Sequence, residues 1–155
     1  MNFKNISNLL YDEKYDEALA LVSNNKELPK YYGALIENYI LISKGDFSYA
    51  LEKVDKSINS IKDKYGWDGF SLLVEKSVIL FNQRNIEESR SVINEAESIL
   101  NLSIEKIPPD YHLWYAEYFY QKAQGVFMKT YYETSAAYCG RSIELALELG
   151  LGLGF

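Results

Sequence analysis

Residues that commonly carry catalysis or bind metals are scarce in this 155-residue chain. There is one histidine, His112, and one cysteine, Cys139. A catalytic triad built on histidine, a zinc site or an HExxH motif would need partners at fixed spacings, and these partners are missing. A ferritin-like di-iron site needs two Glu-x-x-His pairs, which one histidine cannot supply. We therefore expect no metal site and interpret His112 as a surface or rim residue.

Carboxylates are plentiful, but their spacing does not single out a pair for acid–base catalysis. The groups Glu87–Glu88, Glu95–Glu97 and Glu144–Glu148 have the spacing of a helix surface, which usually means a solvated face. The segment Gly150–Phe155 carries three alternating glycines. A phosphate-binding loop, however, needs a strand before it and a helix after it, and here only Phe155 follows the last glycine. The sequence therefore predicts no enzymatic activity and no cofactor.

The charge distribution argues against nucleic acid and membranes as partners. The formal net charge is −6, whereas a nucleic-acid binder is expected to carry a basic stripe. The densest basic stretch, Lys53–Lys56, is interrupted by Asp55, and anionic membranes are disfavoured for the same reason. No stretch approaches the roughly 18 apolar residues needed to span a bilayer, and residues 1–10 lack the apolar run of a signal peptide.

The single cysteine bears on the compartment in which the protein works. Cys139 falls on the apolar stripe predicted for the last helix, so we interpret it as a small core residue. It cannot form an intrachain disulfide, which fits a reducing compartment. We therefore expect a cytoplasmic protein.

The elements that would position any site are helices with a repeated order of side-chain sizes. In Gly45–Ile61, a large, a small, an apolar and a second small position occur at offsets 0, +3, +7 and +10, which lie on one helix face. The same positions occur four times: Tyr15, Ala18, Val22 and Asn25; Phe47, Ala50, Val54 and Ser57; Ile86, Ser89, Ile93 and Ala96; Tyr132, Ser135, Cys139 and Ser142. The +3 positions are 32, 39 and 46 residues apart. Such periods in a helical chain indicate stacked helix pairs.

The turns before these helices resemble those of the tetratricopeptide repeat (TPR) family. Lys44–Glu52 is similar to the Gly-Asp-aromatic turn and helix B start of that family, and Glu13–Leu19 is similar too. Asn85–Ser89 and Thr130–Ser135 are weaker versions. The resemblance covers nearly the whole chain. It departs from the family pattern in its longer intervals, in the missing repeat-ending proline and in charged residues of helix A where the family prefers leucine.

This resemblance implies an all-α fold, a TPR-like α-solenoid of about eight helices in antiparallel pairs. We expect one domain, 1–155, with helix pairs at about 1–28, 29–66, 67–107 and 108–150, and a tail at 150–155. The predicted boundaries place helix 4 up to about Lys64, a turn at Tyr65–Gly69 and helix 5 at about Phe70–Gln83. Three predictions concern helix ends: Gly45 is a left-handed cap, Asp46 an N-cap, and Asn85 with Glu88 a capping box.

A binding surface remains as the candidate site, because the A helices line the concave side of TPR-like stacks. Taking Gly45, Arg84 and Thr130 as equivalent turn positions places small residues at equivalent points of the A helices: Asn38, Ser77 and Ala123. The concave positions in this register are apolar or aromatic with one exception: Tyr32, Leu35, Tyr39, Ile42, Val74, Val78, Phe81, Tyr120, Gln124 and Phe127.

Two interpretations of this face stay open. It could bind an amphipathic helix or an apolar peptide. Alternatively, these residues only pack helix on helix, in a register rotated by one position, which the charged Glu37, Lys76 and Lys122 would indicate. The fourteen tyrosines allow the same choice between core and rim residues and an aromatic-lined groove.

The last predicted helix is apolar on several sides, with Ile143, Leu145, Leu147 and Leu149 as candidate self-association residues. Since a solenoid needs a polar terminal cap, we expect either a longer parent protein or a homo-oligomer formed through this helix.

The leading hypothesis is a non-enzymatic protein–protein interaction module for a peptide, a protein segment or its own copy. The alternative is a peptide-sensing domain of a larger regulatory protein, because its long repeats resemble those of bacterial regulators that bind signalling peptides.

Overall fold

The computed structural model describes residues 3–24, 32–102, 107–108 and 111–127. These residues form α-helices and no strand, so this part of the chain is all-α, as predicted. The helices are α1 (Phe3–Tyr11), α2 (Tyr15–Ser23), α3 (Tyr32–Ser43), α4 (Phe47–Ser60), α5 (Trp67–Asn82), α6 (Ile86–Leu102) and α7 (His112–Phe127). The predicted eighth helix lies outside the described residues.

The connection between α4 and α5 differs most from the prediction. Helix α4 ends at Ser60 rather than near Lys64, because Ile61 has an extended backbone. Helix α5 begins at Trp67, inside the segment predicted as a turn. Gly69 lies in the first turn of α5, where the backbone carbonyl of Lys64 comes so close that a Cβ would overlap it. This glycine therefore permits close contact between loop and helix, and does not make the turn itself.

The same turn precedes α2, α4 and α6. Its central residue has a left-handed backbone each time, with φ of 58° at Glu13, 79° at Gly45 and 67° at Arg84. The N–H of this residue donates to the carbonyl three residues back, at 3.0–3.1 Å, and the next N–H donates to the carbonyl five residues back, at 2.8–2.9 Å. These two bonds define a Schellman motif. The left-handed cap predicted at Gly45 is confirmed.

Neither of the two predicted side-chain caps forms. Asp46 occupies the N-cap position of α4, but its side chain makes no capping hydrogen bond. The Asn85 amide donates to Glu88 Oε2 at 2.7 Å, so these side chains bond each other instead of the backbone N–H groups that a capping box would satisfy. In these two turns the Schellman bonds, rather than side-chain caps, set the backbone geometry.

The helices pack in chain order. Each of the seven packs against its neighbour in sequence, and α3, α5 and α7 also pack in succession. Helix α5 touches α3, α4, α6 and α7, and most of its residues are buried. Its sequence is correspondingly apolar on nearly all sides, as expected of a helix surrounded by protein.

The predicted small-residue stripes lie at the helix contacts. The first small residues of α2, α4 and α6 are buried, and so are the apolar residues four positions later: Ala18, Ala50, Ser89, Val22, Val54 and Ile93. Helices α5 and α6 approach so closely that the Ser89 hydroxyl donates to the backbone carbonyl of Ser77 at 2.7 Å. The small residues therefore act as predicted, by letting neighbouring helices come close.

Candidate binding face and buried polar junction

The three small positions of the predicted register lie in similar surroundings. Asn38, Ser77 and Ala123 are all buried, on α3, α5 and α7 respectively. Two residues before them lie Ile36, Glu75 and Gln121, which are also buried. Equivalent positions in the three helices thus share the same environment, although their residue types differ.

The charged residues next to these small positions form ion pairs with the neighbouring helices α4 and α6. Glu37 of α3 pairs with Lys53 of α4 at 2.5 Å, and Lys76 of α5 pairs with Asp55 of α4 at 2.7 Å. Lys122 of α7 pairs with Glu97 of α6 at 3.0 Å. The pairs are partly solvent-exposed, so each contributes less than about 1 kcal/mol. Each of these charged side chains thus has a partner of opposite charge on an adjacent helix.

The predicted face residues divide by exposure. Tyr120 is 37% exposed, and the half-buried members are Leu35, Tyr39, Ile42, Val78, Phe81 and Gln124. Val74 has no exposed surface, so it belongs to the core and could not contact a partner. The helices α3 and α7 include Tyr32 and Phe127, but their side chains lie outside the described set. The same holds for all four predicted self-association residues, Ile143, Leu145, Leu147 and Leu149.

Part of this face also serves helix packing. Leu35 and Tyr39 pack against the larger core cluster, which joins α1, α2, α3, α5, α6 and α7. Ile42 packs against a second cluster between α3, α4 and α5. Each of these side chains therefore has one side in the core, and only the remaining surface is open to a partner.

The described tyrosines include buried and exposed residues, as core and rim residues would. Tyr118 is buried and donates its hydroxyl hydrogen to Glu97 Oε2 at 2.6 Å. Tyr111 donates to Asp68 Oδ1 at 2.6 Å, and its ring lies 6.4 Å from that of Trp67. These rings fill the space between α5 and α7. Other tyrosines are exposed: Tyr11, Tyr49, Tyr65 and Tyr120.

The contacts around Glu97 change its pKa. Burial raises the pKa of this carboxyl group, but the hydrogen bonds from Tyr118 and Lys122 and the charge of Lys122 outweigh burial and lower it below 4.5. Glu97 therefore remains ionised at neutral pH and links α6 to α7 through two donors.

Glu117 brings a carboxyl group that has no partner among the described residues to the stripe of α7 that carries Tyr120 and Gln124. The three residues stand at offsets 0, +3 and +7, and thus on one side of the helix. Glu117 is half-buried, and loss of solvent around its carboxyl group raises its pKa from 4.5 to about 7. No hydrogen bond or charge from a described residue lowers that pKa. A cation would stabilise the ionised form of this group.

Beneath the face, three polar side chains meet in the interior. Asn38 is 6% exposed, Glu75 2% and Trp114 0%, and they come from α3, α5 and α7. The Asn38 amide donates to Glu75 Oε1 at 2.7 Å. Asn38 Oδ1, Glu75 Oε2 and Trp114 Nε1 have no hydrogen-bond partner among the described residues. We refer to these three side chains as the polar junction.

The junction raises the pKa of Glu75 from 4.5 to about 7. Burial is the main cause, while the Asn38 amide, the Trp114 indole N–H and the positive charge of Lys53 each act to lower it. The indole N–H affects the carboxyl group without completing a hydrogen bond with it. Neither Glu75 nor Glu117 was singled out in the sequence. For Glu75, the sequence feature that could have indicated a buried carboxyl group is its position as the one glutamate in the largely apolar run Phe70–Phe81.

Other site types are poorly represented in the described residues. They contain no group of three or more His, Cys, Asp or Glu residues that could hold a metal ion. They also contain no helix that is both long and apolar enough to cross a membrane. A cavity of about 160 Å³ between α4, α5 and α6, with Ile58, Ile61, Leu73 and Ile99 in its lining, shares no residue with the predicted face.

Comparison with known proteins gives no assignment: no family model, curated protein or solved structure matches the chain.

Proposed function

We propose that this chain is a non-enzymatic protein-interaction module with TPR-like architecture, in which α3, α5 and α7 are the A helices that hold a peptide or protein segment. We place it in the cytoplasm, in keeping with its single cysteine. The architecture is supported by the three identical Schellman turns, by the buried small residues at equivalent positions and by the successive packing of α3, α5 and α7.

One observation carries the functional part of the proposal. The three A helices each carry apolar or aromatic side chains of this face that are neither fully buried nor fully exposed, among them Tyr39, Val78, Phe81 and Tyr120. Aromatic residues with partial exposure are enriched where proteins bind one another, because they bury a large area at low conformational cost. An extended row of such residues is suited to an apolar segment.

Glu117 narrows the chemistry of the partner. Its carboxyl group is desolvated and unpaired within the described residues, and it shares the stripe of Tyr120. A lysine or arginine of the partner would supply the missing positive charge, and its stem would pack on the neighbouring aromatic ring. The bound segment should therefore combine apolar residues with a basic one.

Site-specific photo-crosslinking in cells of the source organism tests this proposal. The photoreactive p-benzoyl-phenylalanine replaces Tyr120 on the face, and in a matched control it replaces Tyr49, a 53% exposed tyrosine on α4. We expect a discrete crosslinked product from position 120 and not from position 49. Its identity follows from mass spectrometry, and a product composed only of this chain would identify its own copy as the partner.

The crosslink must also depend on the face itself. A second change, Phe81→Ala, introduced together with the photoreactive residue at position 120, should reduce the product strongly while circular dichroism shows an intact fold. Equal products from positions 120 and 49, or a product unaffected by Phe81→Ala, would contradict binding at this face. Absence of any product from position 120 would contradict the proposal as well.

A further inference from the structure

The polar junction is not required by the repeat. At the position of Glu75, the preceding A helix has Ile36 and the following one has Gln121, both buried. An aliphatic residue therefore satisfies this environment in α3. Glu75 instead places a carboxyl group there, in contact with a polar side chain from α3 and near another from α7. Residues that break the pattern of a core in this way often have a functional reason.

The hydrogen-bond pattern of the junction suits a neutral carboxyl group better than a charged one. A carboxylate has two oxygens that together accept up to about four hydrogen bonds. Among the described residues, the interior offers one complete donor, the Asn38 amide on Oε1, and Oε2 has no partner. A neutral Glu75 needs fewer donors, and its own proton can be offered to an acceptor. Ionisation thus creates a demand for donors that the closed junction does not meet.

We propose that the junction is a protonation switch: neutral Glu75 holds α3, α5 and α7 together, and its ionisation loosens the contact between these helices. Water then enters between them to solvate the carboxylate, and Trp114 becomes partly exposed. Because the same three helices carry the proposed binding face, the shape of that face changes with pH. This last consequence rests on the proposed function, whereas the helix movement does not.

Apart from Glu117, the charged residues around Glu75 are already paired, so Glu75 is the group in the junction whose protonation changes with pH. On α4, Lys53 acts on Glu75 but is already paired with Glu37 of α3. Lys76, which follows Glu75 on α5, is paired with Asp55 of α4. From α6 and α7, Glu97 and Lys122 pair with each other. Glu117 of α7, one turn after Trp114, is the second described carboxyl group with a pKa of about 7, so it needs its own control.

Tryptophan fluorescence of the isolated protein follows the junction directly. The chain has two tryptophans, and the change Trp67→Phe leaves Trp114 as the sole tryptophan, which long-wavelength excitation selects over the tyrosines. We expect its emission to shift to longer wavelength between pH 5.5 and 8.5, with a midpoint near 7 set by the pKa of Glu75. In the same background, Glu75→Gln should abolish the shift, because its amide cannot ionise, and Glu117→Gln should leave it in place.

Hydrogen exchange of the protein with both tryptophans provides a second measurement, in case Trp67→Phe disturbs the aromatic packing. After correction for the intrinsic pH dependence, amides of α3 and α5 should exchange about tenfold faster at pH 8 than at pH 6, while those of α1 should not. Glu75→Gln should remove this difference. The switch would be overturned if the fluorescence shift or the exchange difference persisted in Glu75→Gln or disappeared in Glu117→Gln. It would also be overturned if the original protein showed neither. No partner is needed, so failure here is distinct from failure of the proposed function.

Discussion

Replacing Arg84 by glycine should stabilise the protein, although it removes an entire side chain. Arg84 is exposed and has a left-handed backbone with φ of 67°, which costs an L-residue about 1–2 kcal/mol. Glycine removes this cost but loses about 0.5–1 kcal/mol through the greater freedom of the unfolded chain. The net gain should be about 1 kcal/mol. Gly45→Ala should lower the unfolding free energy by about the same amount. No atom lies within 4 Å of the added Cβ, so the positive φ is the only source of strain.

Urea denaturation at pH 7 measures both changes as differences in the free energy of unfolding. The matched control is Gln83→Gly, which alters the adjacent exposed residue in a right-handed conformation. There glycine removes no strain, so this variant should be less stable by about 0.5–1 kcal/mol. If Arg84→Gly destabilised the protein as much as Gln83→Gly does, the left-handed turn would not be a source of strain. The inferred equivalence of the three turns would then be wrong.

Three further changes test the interior and its contacts. Glu75→Gln should have no effect near pH 4.5 and should stabilise the protein by about 3 kcal/mol above pH 8. The folded protein raises the pKa of Glu75 from 4.5 to about 7, so the wild type loses stability as pH rises through that range. Urea titrations at pH 4.5, 6, 7 and 8 measure the difference in unfolding free energy, and a difference that does not change with pH would contradict the prediction. Gly69→Ala should lower the unfolding free energy by about 2–4 kcal/mol, since its Cβ overlaps the Lys64 carbonyl, and an unchanged thermal midpoint would rule out this close approach. Tyr118→Phe should lower the unfolding free energy by about 1 kcal/mol at pH 7, because the hydrogen bond to Glu97 is lost. This loss should become smaller below pH 4.5, where Glu97, whose pKa is lowered, becomes protonated. A loss that does not depend on pH would exclude that bond as its source.

The helices and their contacts follow from patterns that are local in the sequence. A small residue three positions after a large one marks the buried stripe, and Ala18, Ala50 and Ser89 all lie at helix contacts. The turn motif was visible because Gly45 is the residue type that a left-handed backbone prefers. Glu13 and Arg84 adopt the same conformation with unfavourable residue types, so only their spacing from Gly45 and the similarity of the residues that follow them indicated these turns.

The connection after α4 shows why boundaries were less predictable. Gly66 and Gly69 both suggested a turn, but Gly69 lies inside α5 because the Lys64 carbonyl occupies the place of a side chain. Such a contact depends on how the loop folds back, and single-sequence propensities do not contain it.

The candidate site was predictable only in outline. Helix periodicity placed Tyr39, Val78 and Tyr120 on stripes with partial exposure, but it could not show that Val74 is covered by neighbouring helices. The polar junction depends on three residues far apart in sequence, Asn38, Glu75 and Trp114, and on the order in which α3, α5 and α7 pack. Tertiary contacts of this kind decide whether a glutamate in an apolar run is solvated or buried.

The most direct test of the binding face is a calorimetric titration with the partner segment identified by crosslinking. Tyr120→Ala and Glu117→Gln should each weaken its affinity about tenfold or more, as expected for residues at the centre of an interface. Tyr49→Ala on α4 should change the affinity by less than about twofold, since rim or distant residues contribute little. Unfolding free energies of all three variants establish that the fold is retained. Equal affinities for the wild type, Tyr120→Ala and Glu117→Gln would show that the partner does not bind to the face formed by α3, α5 and α7.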